Sequence, residues 1–357
     1  MSLGTFVMIV VGLGLLALGG ELLVRGSARL AAAAGISPLV VGLTVVALGT
    51  SSPELAVSLR AVTSGQSTLA LGNLIGSNIF NILLILGLSA LLVPLAVARQ
   101  LVRRDVPVMI AASLAVPVLG LDGRIGRLDG LLLLAGLIVY LVWLVGAAMR
   151  SGQTTVAPRP VGSCGWRNHW VTHAALVIVG LGVLLLGARY MVTGATALAR
   201  WAGLSDLVIG LTVVAAGTSL PEVAASLIAG LRGERDIAVG NVIGSNIFNL
   251  LCVLGGTAAV ARQGVAVPPS ALRFDIPVMV AVAVACLPIL ITGFVVSRGE
   301  GALLVAFYVA YTMYLALDAS GHDALGPYSW LMAVFILPLT ALGLAGGLVG
   351  WLWRRRC

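Results

Sequence analysis

Two glutamates lie in near-identical hexapeptides, GTSSPE (Gly49–Glu54) and GTSLPE (Gly217–Glu222), each embedded in a long apolar run. A charged side chain at the centre of a bilayer costs about 2.5–3.5 kcal/mol on insertion scales, so a carboxylate placed there faces a protein interior and acts. The prolines add a second source of oxygen. Pro53 has no N–H for the carbonyl of Gly49, and Pro221 has none for that of Gly217. Freed carbonyls are tolerated at membrane depth only where something else satisfies them, and a metal cation would do so.

Helical spacing gathers further oxygens around each glutamate. Thr50 and Glu54 are four apart and share a face, as do Thr218 and Glu222. Ala47 and Ser51, and in the second copy Ala215 and Ser219, add backbone and hydroxyl oxygens a turn or so earlier. A second motif pair, GNLIGSNIFN (Gly72–Asn81) and GNVIGSNIFN (Gly240–Asn249), puts Ser77 with Asn81 and Ser245 with Asn249 on one face. The inventory is two carboxylates, amide oxygens, hydroxyls and carbonyls, with no histidine or thiol. Such hard donors suit Ca²⁺ or Na⁺, whereas zinc or copper would want nitrogen or sulfur.

The elements that must hold these residues follow from the composition. Of 357 residues, 60% are hydrophobic and 10% charged, and the mean hydropathy is +1.10. A soluble domain carries about 25% charged residues, so this chain lacks the polar surface for water and reads as an all-α polytopic membrane protein. That excludes a soluble enzyme, a nucleic-acid binder and a disulfide scaffold. Runs long enough to cross a bilayer lie at 4–24, 37–63, 68–94, 105–121, 128–149, 171–191, 205–231, 236–260, 275–296, 300–318 and 328–353, eleven spans. The N-terminal run lacks the features of a cleaved signal and is expected to remain as the first span.

All 21 basic residues are arginines, and they sit singly or in short groups between the runs. Alternating the sides puts Arg124, Arg127, Arg189, Arg200, Arg262 and Arg273 with the N-terminus, and 14 others opposite, with Arg60 unassigned. The positive-inside rule then predicts an outside N-terminus and an inside C-terminus. An all-arginine basic complement hints at a GC-rich bacterial genome, hence the cytoplasmic (inner) membrane of a bacterium.

The two motif pairs belong to a duplication. Residues 41–87 and 209–255 match at 29 of 47 positions without a gap, at an offset of 168. VGLGLLALGG (11–20) matches VGLGVLLLGA (179–188) at the same offset, and RDVPVM (104–109) matches FDIPVM (274–279) at 170. Each copy holds five spans, an odd number, so the second enters the membrane reversed. Inverted repeats with a midplane site between them are a recurring transporter design. The predicted division is a first repeat at 1–149, a linker at 150–170, a second repeat at 171–320, and an additional C-terminal helix with a basic tail at 327–357.

The paired GTSxPE and GNxxGSNIFN motifs resemble the two α-repeats of the sodium/calcium exchanger family, within the cation/Ca²⁺ antiporter superfamily and of prokaryotic type. The resemblance implies a ten-helix core and exchange of several Na⁺ for one Ca²⁺ by alternating access, with the first and sixth helices sliding over a fixed core. It also implies that Glu54 and Glu222 are central ligands and that Thr50 and Thr218 give backbone oxygens to Ca²⁺. Ala47, Ser51 and Ser77 would complete one outer Na⁺ site, and Ala215, Ser219 and Ser245 its mirror. Some exchangers carry aspartate at one of the positions held here by Asn81 and Asn249; this chain has asparagine at both, so its central cluster reaches only −2.

Other readings compete. A proton-coupled divalent-cation antiporter could use the same carboxylates, although hydroxyl-rich outer sites favour sodium. A hydrolase lacks its parts, because no in-span histidine or lysine is expected near Ser51. The expected partners are Ca²⁺, Na⁺ and the lipid bilayer, with no nucleic acid, no cofactor and a monomeric state. The glycine pairs Gly72/Gly76 and Gly240/Gly244 read as helix packing, and Asn73, Asn78, Asn241 and Asn246 as either packing or site support. Gly12, Gly14, Gly180 and Gly182 read as close packing or freedom to slide. Asp105 and Asp275, each before a proline, read as helix caps, with a proton or ion-entry role as the alternative, and Glu21 with Arg25 as an i,i+4 ion pair. Cys164, Cys252, Cys286 and Cys357 read as incidental. His169, His173 and His322 lie in or near loops and are assigned no role.

Overall fold

Apolar runs fold as helices in a bilayer because each backbone N–H and C=O must be paired within its own segment. The computed structural model describes residues 3–151, 170–201 and 215–354. Among them, eight helices are long and apolar enough to cross a membrane, and a broken pair makes up to nine. In the first half these are α1 (Leu3–Ala34), the pair α2 (Pro38–Thr50) and α3 (Ser52–Thr63) bent by 40°, α4 (Ser67–Leu92), and α6 (Arg127–Ser151). Between the last two lies the shorter α5 (Val106–Leu119), preceded by a π-helical turn at Leu101–Asp105.

The second half repeats the plan. It holds α7 (Trp170–Trp201), α8 (Ala215–Thr218) with α9 (Leu220–Leu231), α10 (Arg235–Val260), α11 (Ala271–Ile291) and α12 (Arg298–Ser320). A last helical element, α13 (residues 325–354), packs on α11 and α12 and exposes Trp330, Leu337, Leu339 and Leu342, as a lipid-facing helix does. The protein is an all-α polytopic membrane protein. Every expected run contains a helix, while the linker at 152–169 and the start of the seventh run lie outside the described residues.

Two helices outrun their expected lengths. Helices α1 and α7 are each 32 residues long, where the sequence suggested 4–24 and 171–191. In α1 the polar stretch is carried within the helix because Glu21 pairs with Arg25 one turn on and with Arg232 beyond the end of α9.

Helices α1 and α7 run antiparallel at close range, and heptad-spaced glycines are the cause. A Cβ at Gly12 would meet Met191 N at 2.7 Å, at Gly19 Leu184 N at 2.5 Å, and at Gly26 Val177 N at 2.9 Å. From the other side, Gly180 faces Leu23 N at 2.5 Å, Gly187 faces Leu16 N at 2.7 Å, and Gly194 faces Ile9. Small residues at such a seam allow backbone-to-backbone contact, which drives association where lipid supplies no hydrophobic force. Gly14 and Gly182 have no described atom within 4 Å of a built Cβ, so only Gly12 and Gly180 of the four noted glycines pack.

The repeats are also stitched at the membrane faces. Two-residue strands β1 (Leu95–Ala96), β2 (Arg124–Ile125), β3 (Val265–Ala266) and β4 (Val295–Val296) form antiparallel pairs β1·β4 and β2·β3, each joining one repeat to the other. The centre is filled by α4 and α10. Every residue from Ile237 to Phe248 is buried, so the polar side chains of that stretch face protein.

Candidate ion-binding site

The GTSxPE motifs break their helices, and the break positions the carboxylates. Helix α2 ends at Thr50 and the chain bends at Ser51 (φ −81°, ψ 4°) before α3; Ser219 (φ −92°, ψ 7°) does the same before α9. Pro53 and Pro221 then fall in the first turn of the following helix, where a missing N–H costs nothing. Glu54 and Glu222 occupy the same turns, where exposed N–H groups favour negative charge.

Both glutamates are 1% exposed, and each is held by a serine of the other repeat. Ser51 Oγ donates to Glu222 Oε1 at 3.1 Å, and Ser219 Oγ donates to Glu54 Oε1 at 2.9 Å. Ser219 Oγ also lies 3.2 Å from Ser77 Oγ, so α3, α4 and α9 meet there. The second oxygens, Glu54 Oε2 and Glu222 Oε2, are buried without a partner. Two buried carboxylates with free lone pairs are costly unless a cation or proton compensates them.

Amides surround this pair. The GNxxGSNIFN motifs end where helical hydrogen bonding slips to a π turn, Asn81–Leu86 in α4 and Asn249–Val253 in α10. Such slips recur at functional sites, since they turn a side chain out of the regular register. Asn81 Nδ2 donates to Asn246 Oδ1 at 3.0 Å, which leaves Asn81 Oδ1 unbonded. Asn249 Oδ1 and Nδ2 and Ser245 Oγ are likewise buried and unbonded. Thr50 Oγ1 donates to Asn241 Oδ1 at 3.1 Å and Thr218 Oγ1 to Asn73 Oδ1 at 3.4 Å. Asn241 Nδ2 reaches Ser226 Oγ at 2.9 Å and the backbone oxygen of Glu222 at 3.4 Å. Asn241, Asn246 and Asn73 therefore support the site, whereas Asn78 Nδ2 bonds only Leu74 O of its own helix, at 2.8 Å.

Among the described residues no three His, Cys, Asp or Glu side chains cluster. A cation here would be held by two carboxylates and neutral oxygens. An apolar crevice of about 420 Å³ between α7 and α2 reaches Ser51, with Val45, Leu48, Val177 and Leu181 in its walls. Its only hydroxyls are those of Ser51 and Ser52, so it offers a hydrated cation little in place of water.

Several expectations need correction. The Gly49 carbonyl is not left for a cation, because Ser52 Oγ donates to it at 2.7 Å; the second motif has Leu220 in place of that serine. Ala47 and Ala215 need none: Ala47 lies in α2, its carbonyl accepting from Ser51 N at 3.0 Å, and Ala215 lies in α8. Gly240 and Gly244 pack on the backbone of residues 39–43, but no described atom lies within 4 Å of a Cβ built at Gly72 or Gly76. Asp105 and Asp275 cap nothing with their side chains. Instead Tyr140 OH donates to Asp105 Oδ1 and Tyr311 OH to Asp275 Oδ1, both at 3.0 Å. His173 lies in the first turn of α7 and is buried. Cys252 and Cys286 are unpaired; Cys164, Cys357 and His169 lie outside the described residues. The tyrosines and Met109, which accepts from Asn246 Nδ2, were missed, although each recurs in both repeats.

Comparison with known proteins adds to this geometry. The family model for sodium/calcium exchanger proteins matches residues 4–146 and 172–317. The putative antiporter CaxA of Alkalimonas amylolytica is 39% identical over 317 residues, covering 87% of this chain and 98% of its own. Inner membrane protein YrbG of Escherichia coli is 38% identical over 281 residues, 78% of this chain and 86% of its own. A solved structure of the sodium-calcium exchanger NCX_Mj, soaked with zero Na⁺ and Ca²⁺, superimposes with a TM-score of 0.76 at 32% identity, covering 88% of this chain and 100% of that one.

Proposed function

Because the chain belongs to the sodium/calcium exchanger protein family, we propose that it is a secondary active antiporter exchanging several Na⁺ for one Ca²⁺. The observation that carries this reading is the mirrored pairing of two buried glutamates with serines of the opposite repeat. The pairing builds one midplane site from both halves, and each carboxylate keeps a free oxygen for a cation. Inverted repeats around such a site suit a carrier that exposes it to either side in turn.

In this reading Glu54 and Glu222 are the ligands shared by both ions, and Asn81 and Asn249 add neutral oxygens. Ser51, Ser77 and Ala47 serve one Na⁺ position, with Ser219, Ser245 and Ala215 serving its mirror; Thr50 and Thr218 give backbone oxygens to Ca²⁺. The hydroxyls of Ser51 and Ser219 orient the carboxylates of Glu222 and Glu54, so that each turns its second oxygen to the cation. Two carboxylates thus bind either one divalent ion or several monovalent ones, and the two compete. Three Na⁺ for one Ca²⁺ would move one net charge per cycle, worth about 2.3 kcal/mol per 100 mV.

The repeats divide at 1–149 and 171–320, with 150–170 linking them and 327–357 outside the symmetry. The protein works as a monomer in the inner membrane of a bacterium, with its N-terminus outside, as the arginine distribution supports. It performs no covalent chemistry and takes no cofactor.

The test is ⁴⁵Ca²⁺ uptake into proteoliposomes loaded with Na⁺, repeated with an outward H⁺ gradient and no Na⁺. Uptake should require internal Na⁺ and vanish in Glu54→Ala and in Glu222→Ala. Uptake driven by H⁺ alone would make the protein a proton-coupled Ca²⁺ antiporter using the same glutamates. Wild-type flux in both variants would sink the site.

A further inference from the structure

Asn81 and Asn249 hold matching places at the start of π turns, yet their amides have different surroundings. Asn81 Nδ2 donates to Asn246 Oδ1 at 3.0 Å, and Asn246 Nδ2 donates to Met109 Sδ at 3.6 Å. A thioether has no hydrogen to give, so it can face only the NH₂ end of Asn246. That turns Asn246 Oδ1 toward Asn81, and Asn81 must answer with its own NH₂. The oxygen of Asn81 is the atom left over, buried and unbonded.

The second repeat lacks this relay. Asn78, the counterpart of Asn246, gives its NH₂ to Leu74 O at 2.8 Å. Both amide atoms of Asn249 are left without partners. Met279, the counterpart of Met109, is equally buried, but among the described residues no amide donates to it.

We propose that Met109 and Asn246 are positioning residues that fix the Asn81 amide with its oxygen toward the cation, while the Asn249 amide is free to turn. The proposal rests on the reading of Glu54 and Glu222 as the ion site. An amide that presents NH₂ to a cation repels it, so a preset oxygen spares the ordering that a free amide must undergo on binding. The two repeats then contribute unequal ligands, although each supplies an asparagine.

The test compares half-saturating Ca²⁺ for Na⁺-driven ⁴⁵Ca²⁺ uptake by the full chain in proteoliposomes. Met109→Leu nearly conserves volume but removes the acceptor; it should raise half-saturation about two- to tenfold, the worth of one hydrogen bond, and change the maximal rate less than about twofold. Met279→Leu, the mirror change, should leave half-saturation unaltered. In an Asn81→Asp background residue 81 has no NH₂ to answer Asn246 Oδ1, so adding Met109→Leu, which frees Asn246 to turn its own NH₂ to the carboxylate, should no longer raise half-saturation. An equal effect of Met109→Leu in both backgrounds would reduce Met109 to packing and overturn the proposal. Should Asn81→Ala leave half-saturation unchanged, the site reading itself would fail. Weakening by Asn81→Ala without weakening by Met109→Leu would reject the relay alone.

Discussion

Ser219 Oγ lies 2.9 Å from Glu54 Oε1 and donates to it across the boundary between the two repeats. The reciprocal bond, Ser51 to Glu222 at 3.1 Å, makes each half depend on the other for the orientation of its carboxylate. Hydrogen bonds to a charged group contribute about 1.5–3 kcal/mol, roughly ten- to a hundredfold in affinity. Ser219→Ala and Ser51→Ala should each raise half-saturating Na⁺ within that range. Ser219→Ala should add little in a Glu54→Gln background, and full additivity there would argue against the pairing.

The glycine seam between α1 and α7 should be position-specific. A Cβ at Gly19 would sit 2.5 Å from Leu184 N, a backbone atom. Gly19→Ala should therefore destabilise by about 1–3 kcal/mol, as overpacking does. Gly182→Ala meets open space and should be neutral or slightly stabilising through helix propensity. Thermal unfolding in detergent would read both, and equal Tm shifts would refute the seam.

The two tyrosine–aspartate pairs should differ in consequence. Asp105 is fully buried with Oδ2 already unbonded, whereas Asp275 is half-buried. Tyr140→Phe removes a hydroxyl donor from a buried carboxyl and should cost about 1–3 kcal/mol. Tyr311→Phe leaves Asp275 within reach of water and should cost less. Unfolding midpoints of the two variants, side by side, would decide the order.

Glu21 joins α1 to the far end of α9 by accepting from Arg232 Nε at 2.6 Å, with Arg25 alongside. Arg232 is 47% exposed, so the pair should contribute no more than about 1 kcal/mol. A double-mutant cycle on Glu21→Gln and Arg232→Gln should give a small coupling that fades in high salt. Salt-independent coupling above about 2 kcal/mol would mean the pair is sheltered.

The carboxylates, the helix breaks and the duplication were legible because each is local: a charge in an apolar run, a proline four residues after a glycine, a motif seen twice. Partners across the repeat boundary were not. Nothing in GTSSPE says that Ser51 turns to Glu222 rather than to its own Glu54, since that follows from how the halves dock. Ser52, the second serine of the first motif, has leucine as its counterpart in the second, and spacing alone does not show that it captures the Gly49 carbonyl. Tyr140 and Tyr311 could have been found, because they follow Asp105 and Asp275 by 35 and 36 residues. Met109 and Met279 recur as well, but methionine on an apolar helix looks like core, and only Asn246 distinguishes them. The length of α1 was hidden because Glu21 and Arg25 resemble a helix end until Arg232 is known to join them.

The glycine seam has a mechanical consequence. Two helices whose backbones interlock at Gly12, Gly19, Gly180 and Gly187 form one beam, and its first half belongs to one repeat and its second to the other. Against the bundle, α7 of this beam meets both GTSxPE motifs: Leu181 faces Gly49 and Val192 faces Gly217. If the proposed exchange moves this beam, both motifs feel the same rigid body through these two contacts.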